Sequence, residues 1–397
     1  MTVRLPPGVR DYLPVAASRR RGLAAAATAE LERWGYRGII TPLYEYDDVL
    51  ARGMGRRVHA MRFVEPATGD VVALRPDLTP QVARLVATRM HDEPGPLRLY
   101  YQGSVVRLDS ARREIFQVGV ELVDAPQPGG DLEVVALAEA ALDAVGVRER
   151  VVDLGHAAIA RAALVGLGLD DTARAALHEA LARKDGATVA KLARTTDLPE
   201  SRKRLLAALP TLYGGLEVLD RAHALVDDDD AHAALDELAA LCRRLGELGP
   251  PERLAIDLGE VRGFDYYTGT RFAIFADGVG GALASGGRYD RLIERYGRPA
   301  RAVGFALDVD LVADLLKARG VPAPRQSGGV LVAGEAVAAA KLAATLRARG
   351  ERAVLELDEP VPTDPELRRR AQHRALDRVA VAVGEQIRWL DESGPLG

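Results

Sequence analysis

Residues 100–123 read YYQGSVVRLDSARREIFQVGVELV: a strand, a polar loop and a second strand. The apolar positions predict strands over 97–107 and 114–124. Side chains alternate across a strand, so Gln117, Gly119 and Glu121 share one face. A Gln and a Glu on one face are awkward in a dry core, because an unpaired buried polar group is costly. They make sense as acceptors for a bound amine or imidazole N–H. An outward, solvated face would also account for one such residue, but less readily for three. Arg107 leaves the first strand, where its fork can pair with a carboxylate or a phosphate.

Upstream, residues 16–34 predict a helix, with Leu23, Ala27, Leu31 and Trp34 on one stripe and Gly35 as its stop. RGIITPLY (37–44) predicts a strand at an edge or interface, because Pro42 cannot donate to a ladder. MRFVEPATGDVVALRPD predicts a hairpin turning at PATGD. LRPDLTPQ (74–81) predicts a strand end, a turn and a helix over 80–91 with Thr79 as its N-cap. A further helix is expected over 131–145.

From about 156 to 249 alanine, leucine and arginine dominate and the pattern is helical, which predicts a helical insert between two parts of one sheet. The acidic run 227–230 reads as a solvated loop. Strands are expected at 252–258, 267–276 and 280–285, a helix at 289–296, and a strand from Arg301 into a helix at 310–319. VPAPRQSGG (320–328) reads as a linker. Beyond it a small α/β unit is expected, with strands at 329–333, 352–357 and 378–383 and helices at 335–349 and 364–375. Strands and helices do not alternate one for one, which predicts an α+β body with a mainly antiparallel sheet flanked by helices. The expected domains are 1–320, including the insert, and 329–397.

The chain has 397 residues, 48% hydrophobic, with a formal net charge of −4. That composition is globular and does not favour a phosphate-binding surface. The single cysteine, Cys242, lies in a helical pattern and reads as a small buried apolar side chain. The seven histidines show no metal-ligand spacing, so no metal and no cofactor is expected. Glycine-rich GVGGALASGG has no Lys-Ser/Thr after it and is not a phosphate loop. No signal-peptide core or membrane span is read in the chain, so it is expected in the cytoplasm.

Taken in order, LPPGVRDYLP, LRPDLTP, the hairpin from Arg107 to Glu121, RGFDYYTG and SGGRYDRLI…AVGFAL resemble the class II histidyl-tRNA synthetase family over roughly residues 5–312. The resemblance implies a six- or seven-stranded antiparallel class II sheet that holds histidine. Carried over residue by residue, the histidine-binding set falls on Asp77, Thr79, Arg107, Gln117, Glu121, Arg262, Tyr266 and Tyr267. Asp77 stands where the synthetases have glutamate.

Three departures concern ATP and tRNA. Leu311 stands where the synthetases place the arginine that holds the ATP γ-phosphate. The loop after Arg107 is short and lacks the family's Arg-His-Glu. The tail 329–397 begins like an anticodon-binding domain but carries 10 Lys+Arg against 11 Asp+Glu. With LRPDLTPQVAR and Asp153-Leu154-Gly155-His156, this profile resembles a paralogous family, the regulatory subunits of ATP phosphoribosyltransferase. That resemblance implies a subunit without catalysis of its own, in histidine biosynthesis. It would bind a short-form catalytic subunit in a hetero-octamer of four and four, dimerise through its class II core, and answer to L-histidine. A working histidyl-tRNA synthetase, or another amino-acid sensor built on the class II pocket, remains the alternative reading.

Overall fold

The computed structural model describes residues 4–54, 59–260, 266–324 and 328–390. Contacts divide the chain into two units, Met1–Ala323 and Pro324–Gly397. In the first, α1 (Pro14–Arg33) buries Ala24, Ala27 and Leu31 and ends before Gly35, whose φ of 82° suits glycine. The strand expected over 37–44 is instead two short ones, β1 (Arg37–Gly38) and β2 (Tyr44–Tyr46). Between them the carbonyls of Thr41 and Pro42 turn aside to accept from the Arg75 guanidinium (3.0 and 3.1 Å).

There follow α2 (Asp47–Met54) and the predicted hairpin, β3 (Arg62–Val64) against β4 (Val71–Leu74), which with β2 makes a three-stranded sheet. Next come α3 (Thr79–Arg89), β5 (Leu97–Val106), β6 (Glu114–Val123), α4 (Gly129–Ala144) and β7 (Val151–His156). The insert is α5 (Ala157–Leu164), α6 (Asp171–Ala182), α7 (Gly186–Arg194), α8 (Glu200–Ala208), β8 (Tyr213–Gly214), α9 (Glu217–His223) and α10 (Asp229–Leu248). The chain returns through β9 (Leu254–Asp257), β10 (Thr270–Phe275), β11 (Ala284–Arg288), β12 (Ala302–Asp308) and α11 (Val309–Ala318).

The main sheet runs β1-β5-β6-β12-β11-β10-β7-β9-β8. Its six central strands, β5 to β7, are antiparallel throughout. A wholly antiparallel sheet of six or seven strands is nevertheless too simple, because β1 joins β5 and β9 joins β7 in parallel. The helical insert is the long crossover that a parallel return requires. One sheet face packs on α1, α4, α10 and α11, and the insert's Leu235, Leu238 and Leu245 belong to the same core. The other face carries α3, Leu97, Leu99 and Tyr101.

Two local expectations fail for one reason. The strand expected at 280–285 runs instead over β11 and takes in Gly286-Gly287, and the helix expected over 289–296 is only a 3₁₀ turn, Ile293–Tyr296. A Cβ on Gly286 would lie 2.1 Å from the Gly304 carbonyl, so the glycines mark close strand approach rather than a turn.

The second unit is β13 (Val330–Gly334), α12 (Ala336–Ala348), β14 (Ala353–Leu355), α13 (Asp364–His373), β15 (Arg378–Val383) and β16 (Gln386–Trp389). Its sheet order is β14-β13-β15-β16, one antiparallel strand more than expected.

Candidate functional site

The alternation of β6 builds the site. Val118, Val120 and Leu122 enter the main core, while Gln117 and Glu121 face the opposite side. That side is closed: Gln117 is 5% exposed and Glu121 2%. A solvated face is therefore ruled out. Three glycines make room for these side chains. A Cβ on Gly304 would sit 2.0 Å from Glu121 Oε2, one on Gly119 would sit 2.5 Å from the Tyr101 hydroxyl, and one on Gly287 would meet the Tyr267 ring at 2.9 Å.

Both carboxylate oxygens of Glu121, Oε1 of Gln117 and the hydroxyls of Tyr101 and Tyr289 are buried without a hydrogen bond of normal geometry to any described residue, although the hydroxyls of Thr79 and Tyr101 act on the Glu121 carboxyl. Such orphaned groups are rare in native proteins and call for a ligand or water. Burial holds the Glu121 carboxyl well above the usual carboxylate range; the Thr79 hydroxyl opposes this, and the charge of Asp77 adds to it. Burial also raises the phenols of Tyr101 and Tyr266, and pushes Tyr267 up to about 12. Tyr266 packs edge-on to Tyr267 at 5.1 Å and lies 5.3 Å from the Tyr289 ring. Arg161 of α5 donates to the Tyr267 carbonyl at 3.1 Å, tying the insert to the pocket wall.

At the mouth, Arg107 donates to the Pro76 carbonyl (3.0 Å) and reaches Asp77 Oδ2 at 3.3 Å. Thr79 is not the N-cap. It is the first helical residue, and Asp77 Oδ1 accepts from its backbone N–H at 3.0 Å, because the shorter side chain of Asp77 reaches back into the turn. Asp77, Thr79, Arg107, Glu121, Tyr266 and Tyr267 thus lie within electrostatic reach of one another, with Gln117 on the same face of β6, whereas Arg262 lies outside the described residues. Tyr101 and Tyr289 join them and were not singled out in the sequence, where Tyr101 lay in an expected strand and Tyr289 at the start of an expected helix.

The place of the phosphate-holding arginine is different in kind. Leu311 opens α11 and packs on the main core, its Cδ2 3.3 Å from a Cβ built on Gly281. Helix N-termini favour anions, and here the protein supplies its own. Asp308 accepts from Leu311 N at 2.8 Å, and Arg112 from the short loop pairs with Asp308 and Asp314. Asp310, fully buried, accepts from the Tyr12 hydroxyl (2.7 Å) and Phe116 N (2.9 Å) and pairs with Arg20 (3.2 Å). Arg10, Arg20 and Arg112 balance these three carboxylates, so the terminus is taken up by internal ion pairs rather than offered to a triphosphate.

The DLGH run serves structure at its end: His156 Nδ1 accepts from Ala158 N and caps α5, with Glu237 3.5 Å from Nε2. Cys242 is buried, and Asp228 caps α10, so the acidic run is a helix start rather than only a loop. No cluster of metal-ligating side chains occurs among the described residues, and no helix there is long and apolar enough to cross a membrane.

Comparison with known proteins places this geometry. A family model described as histidyl-tRNA synthetase matches residues 8–312. The ATP phosphoribosyltransferase regulatory subunit of Geobacter metallireducens is 43% identical over 79% of this chain and 74% of its own length. That of Moorella thermoacetica is 37% identical over 99% of both chains. A solved structure from Bacillus halodurans, described as an ATP phosphoribosyltransferase regulatory subunit/histidyl-tRNA synthetase, superposes with a TM-score of 0.80 at 29% identity, covering 97% of this chain and 100% of that one. The histidyl-tRNA synthetase of Nostoc, at 20% identity and a TM-score of 0.77 over 96% of this chain and 91% of that one, shares the fold. This chain belongs to the family of ATP phosphoribosyltransferase regulatory subunits, built on the histidyl-tRNA synthetase fold.

Proposed function

We propose that this chain activates a short-form catalytic subunit of ATP phosphoribosyltransferase and carries histidine feedback to it, at the first step of histidine biosynthesis in the cytoplasm, while aminoacylating nothing itself. One contrast carries the reading. The amino-acid pocket keeps buried acceptors without hydrogen bonds of normal geometry, while the helix terminus beside Leu311 is filled by the ion pairs of Asp308, Asp310 and Asp314. Charge by charge, histidine fits the first place. Its α-ammonium meets Asp77 and Gln117, its carboxylate meets Arg107 or Arg262, and its imidazole N–H meets Glu121 and a tyrosine hydroxyl. In the second unit, Arg370 and Arg374 are paired with Glu356, and Arg388 with Asp364, which speaks against an RNA surface.

The regulation is linkage: histidine favours whichever quaternary state closes its pocket best. A dimer is the building block of the hetero-octamer of four and four. Its contact surface is the apolar ground at β2 and the chain before it, where Ile40 is 94% exposed and Leu43, Tyr44, Tyr46 and Phe63 are also open to solvent. The test is reconstitution. Phosphoribosyl transfer by the short catalytic subunit should rise on adding this chain and fall again with histidine, and Glu121→Gln or Arg262→Ala should remove the inhibition but keep the activation. Histidine-dependent ATP–pyrophosphate exchange by the chain alone, at a synthetase's rate, would return it to the enzymes.

A further inference from the structure

Away from the β6 pocket, the outer strands of the main sheet enclose a second group of charges. Val152 and Leu154 of β7 enter the core and His156 lies on their side, so Asp153 between them faces the other way. There its charged neighbours are Asp257 of β9, Lys184 from the turn between α6 and α7, Arg271 of β10, and Glu260. Lys184 Nζ is held by both oxygens of Asp257, at 2.5 and 2.7 Å. Arg271 donates to the Glu260 carbonyl at 2.7 Å. Asp153 makes no hydrogen bond to any described residue, although burial and the charge of Asp257 act on it together.

A cavity of about 710 Å³ opens on this group, with Asp153, Asp257 and Lys184 on one side and Tyr213, Leu216 and Leu254 on the other. With Glu252, three carboxylates line the cleft against the one ammonium of Lys184, and Arg271 lies beside Asp153. A carboxylate in such a place needs either a proton or a donor that brings positive charge. The Tyr213 ring, whose face already lies 5.7 Å from Lys184 Nζ, offers an aromatic surface to a further cation. The cavity is wide enough for a small metabolite, and none of its lining residues belongs to the β6 pocket.

We propose that this cavity binds a small organic cation, a protonated amine or a guanidinium, which donates N–H to Asp153 and lies against Tyr213.

Agmatine and methylguanidine, both permanently charged, are the probes, titrated calorimetrically into the full chain. The Asp153 carboxyl, pushed up to about 7, must be ionised to receive a cation, so affinity should rise about tenfold between pH 6 and pH 8. Asp153→Asn should weaken binding at least tenfold and abolish that pH dependence. Should Asp153→Asn fail to fold, Tyr213→Ala at an exposed ring reports on the same site and should weaken binding severalfold. No binding of either probe up to about 10 mM, or unchanged affinity in the folded variant, overturns the proposal.

Discussion

Glu121→Gln replaces a buried carboxyl by an amide of the same shape, and the pocket makes its two consequences opposite in sign. In the empty protein Glu121 is 2% exposed and neither of its oxygens makes a hydrogen bond of normal geometry to a described residue. Its folded-state pKa is raised by burial, above that of the unfolded chain. On raising the pH, the unfolded chain therefore releases this proton first. Between the two pKa values the parent loses about 1.4 kcal/mol of stability for each pH unit. Glutamine does not titrate there. The variant's advantage in urea unfolding should be small near pH 4 and grow as the pH rises above the ordinary carboxylate range. Histidine binding should move the other way. An amide keeps one acceptor oxygen but turns N–H groups toward the imidazole N–H, and leaving a buried donor unpaired costs about 2–3 kcal/mol. That is roughly 30- to 150-fold in Kd. Urea titrations at several pH values and calorimetry with histidine read the two effects on the same samples. A variant that is destabilised equally at every pH, or that binds histidine like the parent, refutes the reasoning.

Leu311→Arg should not restore histidine-dependent ATP–pyrophosphate exchange, because the α11 terminus is already taken up by the ion pairs of Asp308, Asp310 and Asp314 with Arg10, Arg20 and Arg112; measurable exchange would show that these pairs are no obstacle. Gly304→Ala places a methyl 2.0 Å from Glu121 Oε2 and 2.3 Å from the Val120 carbonyl. It should cost about 1–3 kcal/mol of stability and abolish histidine binding in the same titrations. Arg288, 1% exposed, donates to both oxygens of Asp131. Arg288→Met should cost about 3–5 kcal/mol by stranding that carboxylate, and a loss under about 1 kcal/mol would mean water already reaches it. Light scattering at micromolar concentration should report a dimer, which Phe63→Asp and Ile40→Asp together should split into monomers.

Periodicity carried much of the fold. The strand pair around residues 100–123, the hairpin ending at Leu74 and the stripe of α1 all follow from spacing, because a side chain's direction is set within a few residues. The motifs in series pointed to the family, and Leu311 in the arginine's place pointed to a subunit without catalysis of its own. Other features rest on encounters far apart in the chain. Asp310 is held by Tyr12, 298 residues away, and Arg288 by Asp131, 157 away. Gly286 and Gly287 fell between an expected strand and an expected helix, but β12 lies against them and makes them part of β11. The parallel pairing of β9 depends on where the insert delivers the chain. Spacing placed Gln117 and Glu121 on one face, but whether that face was wet or closed was decided by α3, the tyrosines at 101, 266 and 289, and three glycines. A local pattern determines which way a polar group points. Only the packed structure determines whether it finds a partner there, since that depends on every element that comes to cover it.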